Sequence, residues 1–239
     1  MSTVLTTREG GILTLTLNRP EQGNAINMAL AADLLAAARD AAGDPAVRCV
    51  VLAAAGRMFC VGGDIAEFSA AGDGASGFIR ELADTLHEAV LVLAGMAKPF
   101  VALIQGPAAG AGLSLAAAAD IVIASEAAHF TAAYTAIGLT PDGGMTWLLP
   151  RLVGMRLTQD MMLTNRRLGA AEAAAAGLVT RVVAAEALAD EGAKLLALAA
   201  VLVGSIALVA MQSMLKQQAL AGNFPMRLRW NFHRLMLGQ

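Results

Sequence analysis

From Ile12 to Leu17 the chain reads ILTLTL, apolar and polar side chains in alternation, the period-2 pattern of a strand with one covered face. Residues 4–8 precede it across a Gly10-Gly11 turn, so the chain opens with a two-stranded unit. The alternation then stops. Residues 48–54 (RCVVLAA), 100–104 (FVALI) and 120–124 (DIVIA) are short, nearly continuous apolar runs, the pattern of strands buried on both faces. Between them apolar residues recur at helical spacing. Asn27 is placed to cap a helix running to about residue 42, where Gly43-Asp44-Pro45 stops it. Ser76 is placed to cap a long helix in which Phe78, Leu82, Leu86, Val90 and Leu93 share one face. Further on, residues 129–131 read as a short extended piece, and GLTPDGG turns the chain into a helix carrying Trp147. Residues 170–176 and 179–183 form a last helix and strand, and everything from Glu186 reads helical.

Strands alternating with helices predict an α/β fold of βα units over residues 1–184, followed by a helical region over residues 185–239. Composition adds an expectation of assembly. With 57% hydrophobic and 15% charged residues and a mean hydropathy of +0.61, the 239-residue chain has too little polar surface to cover itself, which points to buried subunit contacts. The net charge of −2 and the lack of a Lys/Arg cluster argue against a nucleic-acid partner. The first residues, MSTVLTTREGG, lack the basic-then-apolar pattern of a secretory signal. Two cysteines, Cys49 and Cys60, make no disulfide framework, so a cytoplasmic location is expected. Residues 195–211 (LLALAAVLVGSIALVAM) carry no charge and sit at the lower length limit for a membrane span. Their alanine content, the central Gly204-Ser205 and the missing aromatic anchors favour two shorter buried helices, and no membrane partner is expected.

Two glycine-rich loops carry the candidate chemistry. FCVGGDI (59–65) follows the strand ending near Ala54, and QGPAAGAG (105–112) follows the strand ending at Ile104. Ligands of α/β sheets bind outside the carboxyl ends of strands, where loops entering helices expose unpaired N–H groups. Two such loops side by side read either as an oxyanion hole, with two amides aimed at one carbonyl oxygen, or as ordinary tight turns. Other motifs fail on spacing: GPAAGAG is not GxGxxG, no GK[ST] follows it, and Ser114 lacks the flanking glycines of a nucleophile elbow.

Taken with GNAIN (23–27), residues 98–125 (KPFVALIQGPAAGAGLSLAAAADIVIAS) and residues 138–154 (GLTPDGGMTWLLPRLVG), the first loop gives four ordered blocks that resemble the crotonase, or enoyl-CoA hydratase/isomerase, superfamily. The resemblance implies a crotonase-like spiral of ββα units with a helical C-terminal oligomerisation region, assembled as a homotrimer or a dimer of trimers. It implies an acyl-CoA thioester as substrate, with coenzyme A as part of that substrate and no separate cofactor. By position it puts the oxyanion donors at the N–H groups of Gly63 and Ala111, and coenzyme A against the backbone at Ala25, Ile26, Gly62, Asp64 and Ile65. Hydratases of the family carry two glutamates where this chain has Ser114 and Tyr134. Hydration needs groups to activate water and to protonate the α-carbon, work suited to paired carboxylates, whereas a double-bond shift needs one base that removes a proton and returns it elsewhere. Pro141-Asp142 resembles the ring-1,2-epoxyphenylacetyl-CoA and dienoyl-CoA isomerase branches and makes Asp142 the candidate base. An isomerase is therefore expected ahead of a hydratase or a non-catalytic acyl-CoA binder.

Plainer roles stand beside these. Pro141-Asp142-Gly143 is ordinary turn chemistry, and Asp142 is also placed to cap the following helix. Tyr134 is placed either to hydrogen-bond substrate or to pack, and Asp64 to cap the helix after its loop. His87, mid-helix beside Glu88, reads as a surface or satisfied histidine, and Cys60 as a packing residue. His129 and His233 have no partners at metal spacing, and FPMRLRW near residue 224 reads as a solvated face rather than a phosphate contact.

Overall fold

The computed structural model describes residues 2–194. The expected two-stranded start is present: β1 (Val4–Glu9) pairs antiparallel with β2 (Ile12–Leu17) around the Gly10-Gly11 turn. From β2 the sheet continues in parallel through β3 (Cys49–Ala54), β4 (Phe100–Ile104), β6 (Ile121–Ser125) and β9 (Arg181–Val183), in spatial order β1-β2-β3-β4-β6-β9. A second sheet of three very short strands joins β5 (Ala108–Ala109), β7 (His129–Thr131) and β8 (Leu168–Gly169).

Successive side chains of a strand face opposite ways, and the two faces of the sheet are used differently. Val50, Leu52, Phe100, Ala102 and Ile104 join the main core, which is closed by α1 (Met28–Gly43) and α3 (Ala75–Gly95). Leu30, Leu34 and Ala38 of α1 and Leu82, Leu86, Ala89 and Leu93 of α3 are the buried stripes, each recurring at three or four residues. Truncating a fully buried leucine such as Leu34 costs about 2–5 kcal/mol, so these stripes hold the helices to the sheet. Cys49, Val51 and Val101 turn to the opposite face and form a second, smaller cluster with Leu103 and Ile121. A short helical stretch at residues 188–194 reaches this face, with Gly192 packed against Leu103.

Asn27 caps α1 as expected, its Oδ1 accepting from Leu30 N at 2.9 Å. Ser76 caps nothing: α3 begins one residue earlier, with Gly74 at the cap position, because the turn Gly72–Gly74 leads directly into it. Three shorter helices complete the described chain: α2 (Ile65–Ala70), α4 (Ala111–Ala117) and α6 (Ala170–Ala176). The long α5 (Met145–Thr164) carries Trp147 and breaks at Gly154, whose φ of 78° and ψ of 159° interrupt the helical backbone. Most of the helical region expected over residues 185–239, including the apolar run 195–211 and FPMRLRW, lies outside the described residues. Among those described, no helix is long and apolar enough to cross a membrane.

Candidate active site

The loop after β3 is threaded between two neighbours by main-chain bonds. On one side Val61 N donates to Gly23 O, Ile26 N to Gly62 O at 2.7 Å, and Asp64 N to Ile26 O at 2.9 Å. On the other, Cys60 N donates to Pro107 O and Ala109 N to Cys60 O. In the parallel bridge of Ile26 with Gly63 the bonds run through residues 62 and 64, so the N–H of Gly63 is left over. Ala111 opens α4, where the first N–H groups have no partner within the helix. Neither amide donates to an acceptor among the described residues.

Glycine is required here by backbone angle and by contact. Gly62 has φ of 100° and Gly110 φ of 52° with ψ of −122°, conformations that side chains disfavour. A methyl group on Gly62 would lie 3.3 Å from Ala109 O and 3.7 Å from Ala111 N, so the two loops touch at these glycines. One on Gly112 would lie 2.2 Å from Cys60 O, which locks α4 onto the first loop. One on Gly63 would meet the Phe68 ring of α2.

The expected coenzyme-binding positions line this same ribbon. Ala25, Ile26, Gly62 and Asp64 are buried and Ile65 is 53% exposed. The Asp64 carboxylate has a structural role. It caps α2 by accepting from Ala66 N and Glu67 N, and it pairs with Arg19 Nη1 at 2.9 Å. The same guanidinium nitrogen donates to Ala25 O, tying the GNAIN segment to the loop. Asn24, fully buried, donates to Ala55 O and Met58 O and accepts from Arg19 N. Buried polar groups need such partners, and these fix where the loop leaves the sheet.

Beside the second glycine loop, where a methyl group on Gly110 would lie 4.0 Å from the Tyr134 ring, is a side-chain cluster drawn from four segments. Tyr134, buried in the turn Tyr134–Ile137, donates its hydroxyl to Asp142 Oδ1 at 2.8 Å. Ser114 of α4 lies with its Oγ 3.3 Å from Tyr134 Oη and donates to Asp142 O at 3.1 Å. The two positions expected to hold glutamates in a hydratase therefore meet, with hydroxyls in place of carboxylates. Burial, then the Asp142 charge, pushes the Tyr134 phenol well above its ordinary value, which keeps it a donor through neutral and mildly alkaline pH. Asp142 does not cap α5: Gly144 holds the cap position, and the carboxylate turns toward Tyr134 and α3 instead.

His87, read from the sequence as a surface or satisfied histidine, is satisfied, and its partners lie at this cluster. Its Nε2 lies 3.2 Å from Asp142 Oδ2 and accepts from Gly143 N at 3.1 Å. A mid-helix histidine 56 residues from its partner gives no local signal, although its spacing from Leu86 and Val90 shows that it borders the buried face of α3. Cys60 packs as expected, fully buried with its thiol pushed up to about 12 by desolvation. His129 keeps a buried Nδ1 with no hydrogen-bond partner among the described residues, and His233 lies outside them. Among the described residues no three His, Cys, Asp or Glu side chains group as a metal site.

Comparison with known proteins gives the family. The family model for enoyl-CoA hydratase/isomerase matches residues 7–225. The chain is 43% identical over 173 residues to a Rhodobacter capsulatus protein named "Probable enoyl-CoA hydratase", an alignment covering 72% of this chain and 65% of that one. It is 37% identical over 196 residues to the 1,2-epoxyphenylacetyl-CoA isomerase of Escherichia coli K12, covering 82% and 75%. The crystal structure of an enoyl-CoA hydratase from Mycobacterium avium subsp. paratuberculosis superimposes with a TM-score of 0.81 at 35% identity, covering 92% of this chain and 83% of that one. The chain belongs to the enoyl-CoA hydratase/isomerase family, the crotonase superfamily, and has its fold.

Proposed function

We propose that the protein is a cytoplasmic acyl-CoA isomerase that shifts a double bond through a thioester enolate. The observation that carries this reading is a single carboxylate, Asp142, hydrogen-bonded by Tyr134 and set beside Ser114, where a hydratase would have two glutamates. Asp142 removes a proton from the carbon next to the thioester of a 3-enoyl-CoA. The C–H electron pair moves into the enolate, and the negative oxygen is held by the N–H groups of Gly63 and Ala111. The protonated Asp142 then delivers its proton to the far carbon of the former double bond. Each main-chain donor lowers the barrier by about 2.7–4 kcal/mol. The Tyr134 hydroxyl occupies one of roughly four acceptor positions on the carboxylate, which leaves room for the substrate proton.

Coenzyme A lies along the backbone of Ala25, Ile26, Gly62, Asp64 and Ile65, and Tyr134 borders the acyl group. The chain works as a homotrimer or dimer of trimers, a reading supported by its apolar composition and by exposed Met155 and Leu163 on α5. The test is incubation with 3-enoyl-CoA in deuterated buffer. Conversion to 2-enoyl-CoA with exchange at the α-carbon is expected; binding of the thioester with neither conversion nor exchange would overturn the assignment. A second reading, enoyl-CoA hydratase, is favoured by the His87–Asp142 contact, which supplies a second titratable group to activate water. Formation of 3-hydroxyacyl-CoA from 2-enoyl-CoA distinguishes the two.

A further inference from the structure

Three residues of the side-chain cluster take hold of Asp142, and two of them do so through one peptide group. The carbonyl of Asp142 and the N–H of Gly143 belong to the same planar unit and point in opposite directions. The carbonyl accepts from Ser114 Oγ on α4 at 3.1 Å, and the N–H donates to His87 Nε2 on α3 at 3.1 Å. Residues 142–145 form a tight turn of their own: Met145 N donates to Asp142 O at 3.0 Å, and Gly143 and Gly144 have φ of 58° and 84°, the positive values of a mirror-image turn. The turn keeps its shape by this bond, and its position comes from the two helices. Ser114 is fully buried, and a methyl group on Gly143 would lie 2.9 Å from its Cβ, so α4 packs directly on the turn. Gly143 is buried as well, and His87 supplies the acceptor that its N–H needs. Asp142 Oδ2 lies 3.2 Å from the same imidazole nitrogen, so a ring protonated at Nε2 would trade the Gly143 bond for an ion pair; the grip belongs to the neutral ring.

We infer that Ser114 and His87 are positioning residues that clamp the 142–143 peptide between α4 and α3 and so set where the Asp142 carboxylate stands. This inference rests on the isomerase reading and deepens it. The Asp142 side chain is 37% exposed, so packing alone does not hold it. A base that takes a proton from one carbon and returns it to another needs a fixed place, since a misplacement of about 1 Å costs up to about 10²-fold in rate. Tyr134 holds the carboxylate itself, at Oδ1, while Ser114 and His87 act through the main chain behind it. Because the peptide is rigid, the two grips are coupled: releasing either end frees the same unit.

The experiment compares Ser114→Ala, His87→Leu and the double variant in steady-state isomerisation of 3-enoyl-CoA and in hydrogen exchange of the Gly143 amide followed by NMR. Ser114→Ala keeps the Cβ that packs on Gly143 and leaves Asp142 O its bond from Met145 N, so the fold is not at stake. The expected result is a ~10-fold fall in kcat for each single variant with KM unchanged, and about the same ~10-fold fall for the double variant, because one clamp is lost only once. His87→Gln, which returns an acceptor to Gly143 N–H, recovers most of what His87→Leu loses. Ser114→Ala also speeds exchange of the Gly143 amide, to which Ser114 makes no bond, by ~10-fold, while the buried stripe of α3 keeps its wild-type rates. Losses that multiply to ~100-fold in the double variant, or a Gly143 amide whose exchange Ser114→Ala leaves unchanged, overturn the clamp and leave the isomerase reading standing. If the wild-type protein binds 3-enoyl-CoA without converting it, the isomerase reading falls and Gly143 exchange decides the clamp alone: faster exchange in Ser114→Ala supports it, and an unchanged rate overturns it.

Discussion

The two halves of the candidate site are built from different material. The glycine-loop half is main chain: amides of residues 63 and 111, held by bonds such as Ile26 N to Gly62 O and Ala109 N to Cys60 O. The other half is side chain: Asp142, Tyr134, Ser114 and His87, brought together from α3, α4 and two turns. The first leaves no room for an added methyl group at Gly62 or Gly112. The second is held by hydrogen bonds among its side chains. A family can therefore keep one electrostatic device and change its reaction by changing the other half.

That division yields experiments in order of effect. On the proposed isomerase reading, Asp142→Asn removes the proposed base while keeping its shape, so isomerisation should fall by about 10²–10⁴-fold with acyl-CoA affinity retained, measured by steady-state kinetics and calorimetric binding. A matching loss of binding would mean that the side-chain half holds substrate instead of converting it. Gly112→Ala drives a methyl group into the Cys60 carbonyl and should cost about 3 kcal/mol in denaturant unfolding. Unchanged stability would break the claim that main-chain contact locks the loops. Tyr134→Phe deletes one hydrogen bond to a carboxylate, worth about 1.5 kcal/mol or roughly tenfold in kcat/KM, with little change in melting temperature. Smallest of all, Cys60 should resist alkylation at pH 8 in the native protein, because burial holds its thiol near 12. Rapid modification by iodoacetamide would show the loop opening to solvent.

The same division decides what could be read from the chain. Both glycine loops were visible because positive φ leaves a residue-type signature, and Asn27 and the apolar runs at β3, β4 and β6 placed them at strand ends. Asp142 was legible as a lone acid in a turn, but not the direction of its side chain, which the Tyr134 hydroxyl and His87 imidazole set from outside its own segment. The three-stranded second sheet was hidden for a related reason: β5 and β8 are two residues each, too short for any periodicity, and exist only because β7 lies between them. Ser76 misled because a good capping residue has no effect when the preceding turn already winds into the helix.

At the meeting point of the two loops, glycine rests on glycine, with Gly62 and Gly110 filling the gap by backbone alone. A seam made this way has one width, set by hard atomic radii, and it stands ready before any substrate arrives. On the proposed reading, choice among acyl groups falls to the walls around it, where the Phe68 ring lies over Gly63 and the Phe78 ring meets it edge-on.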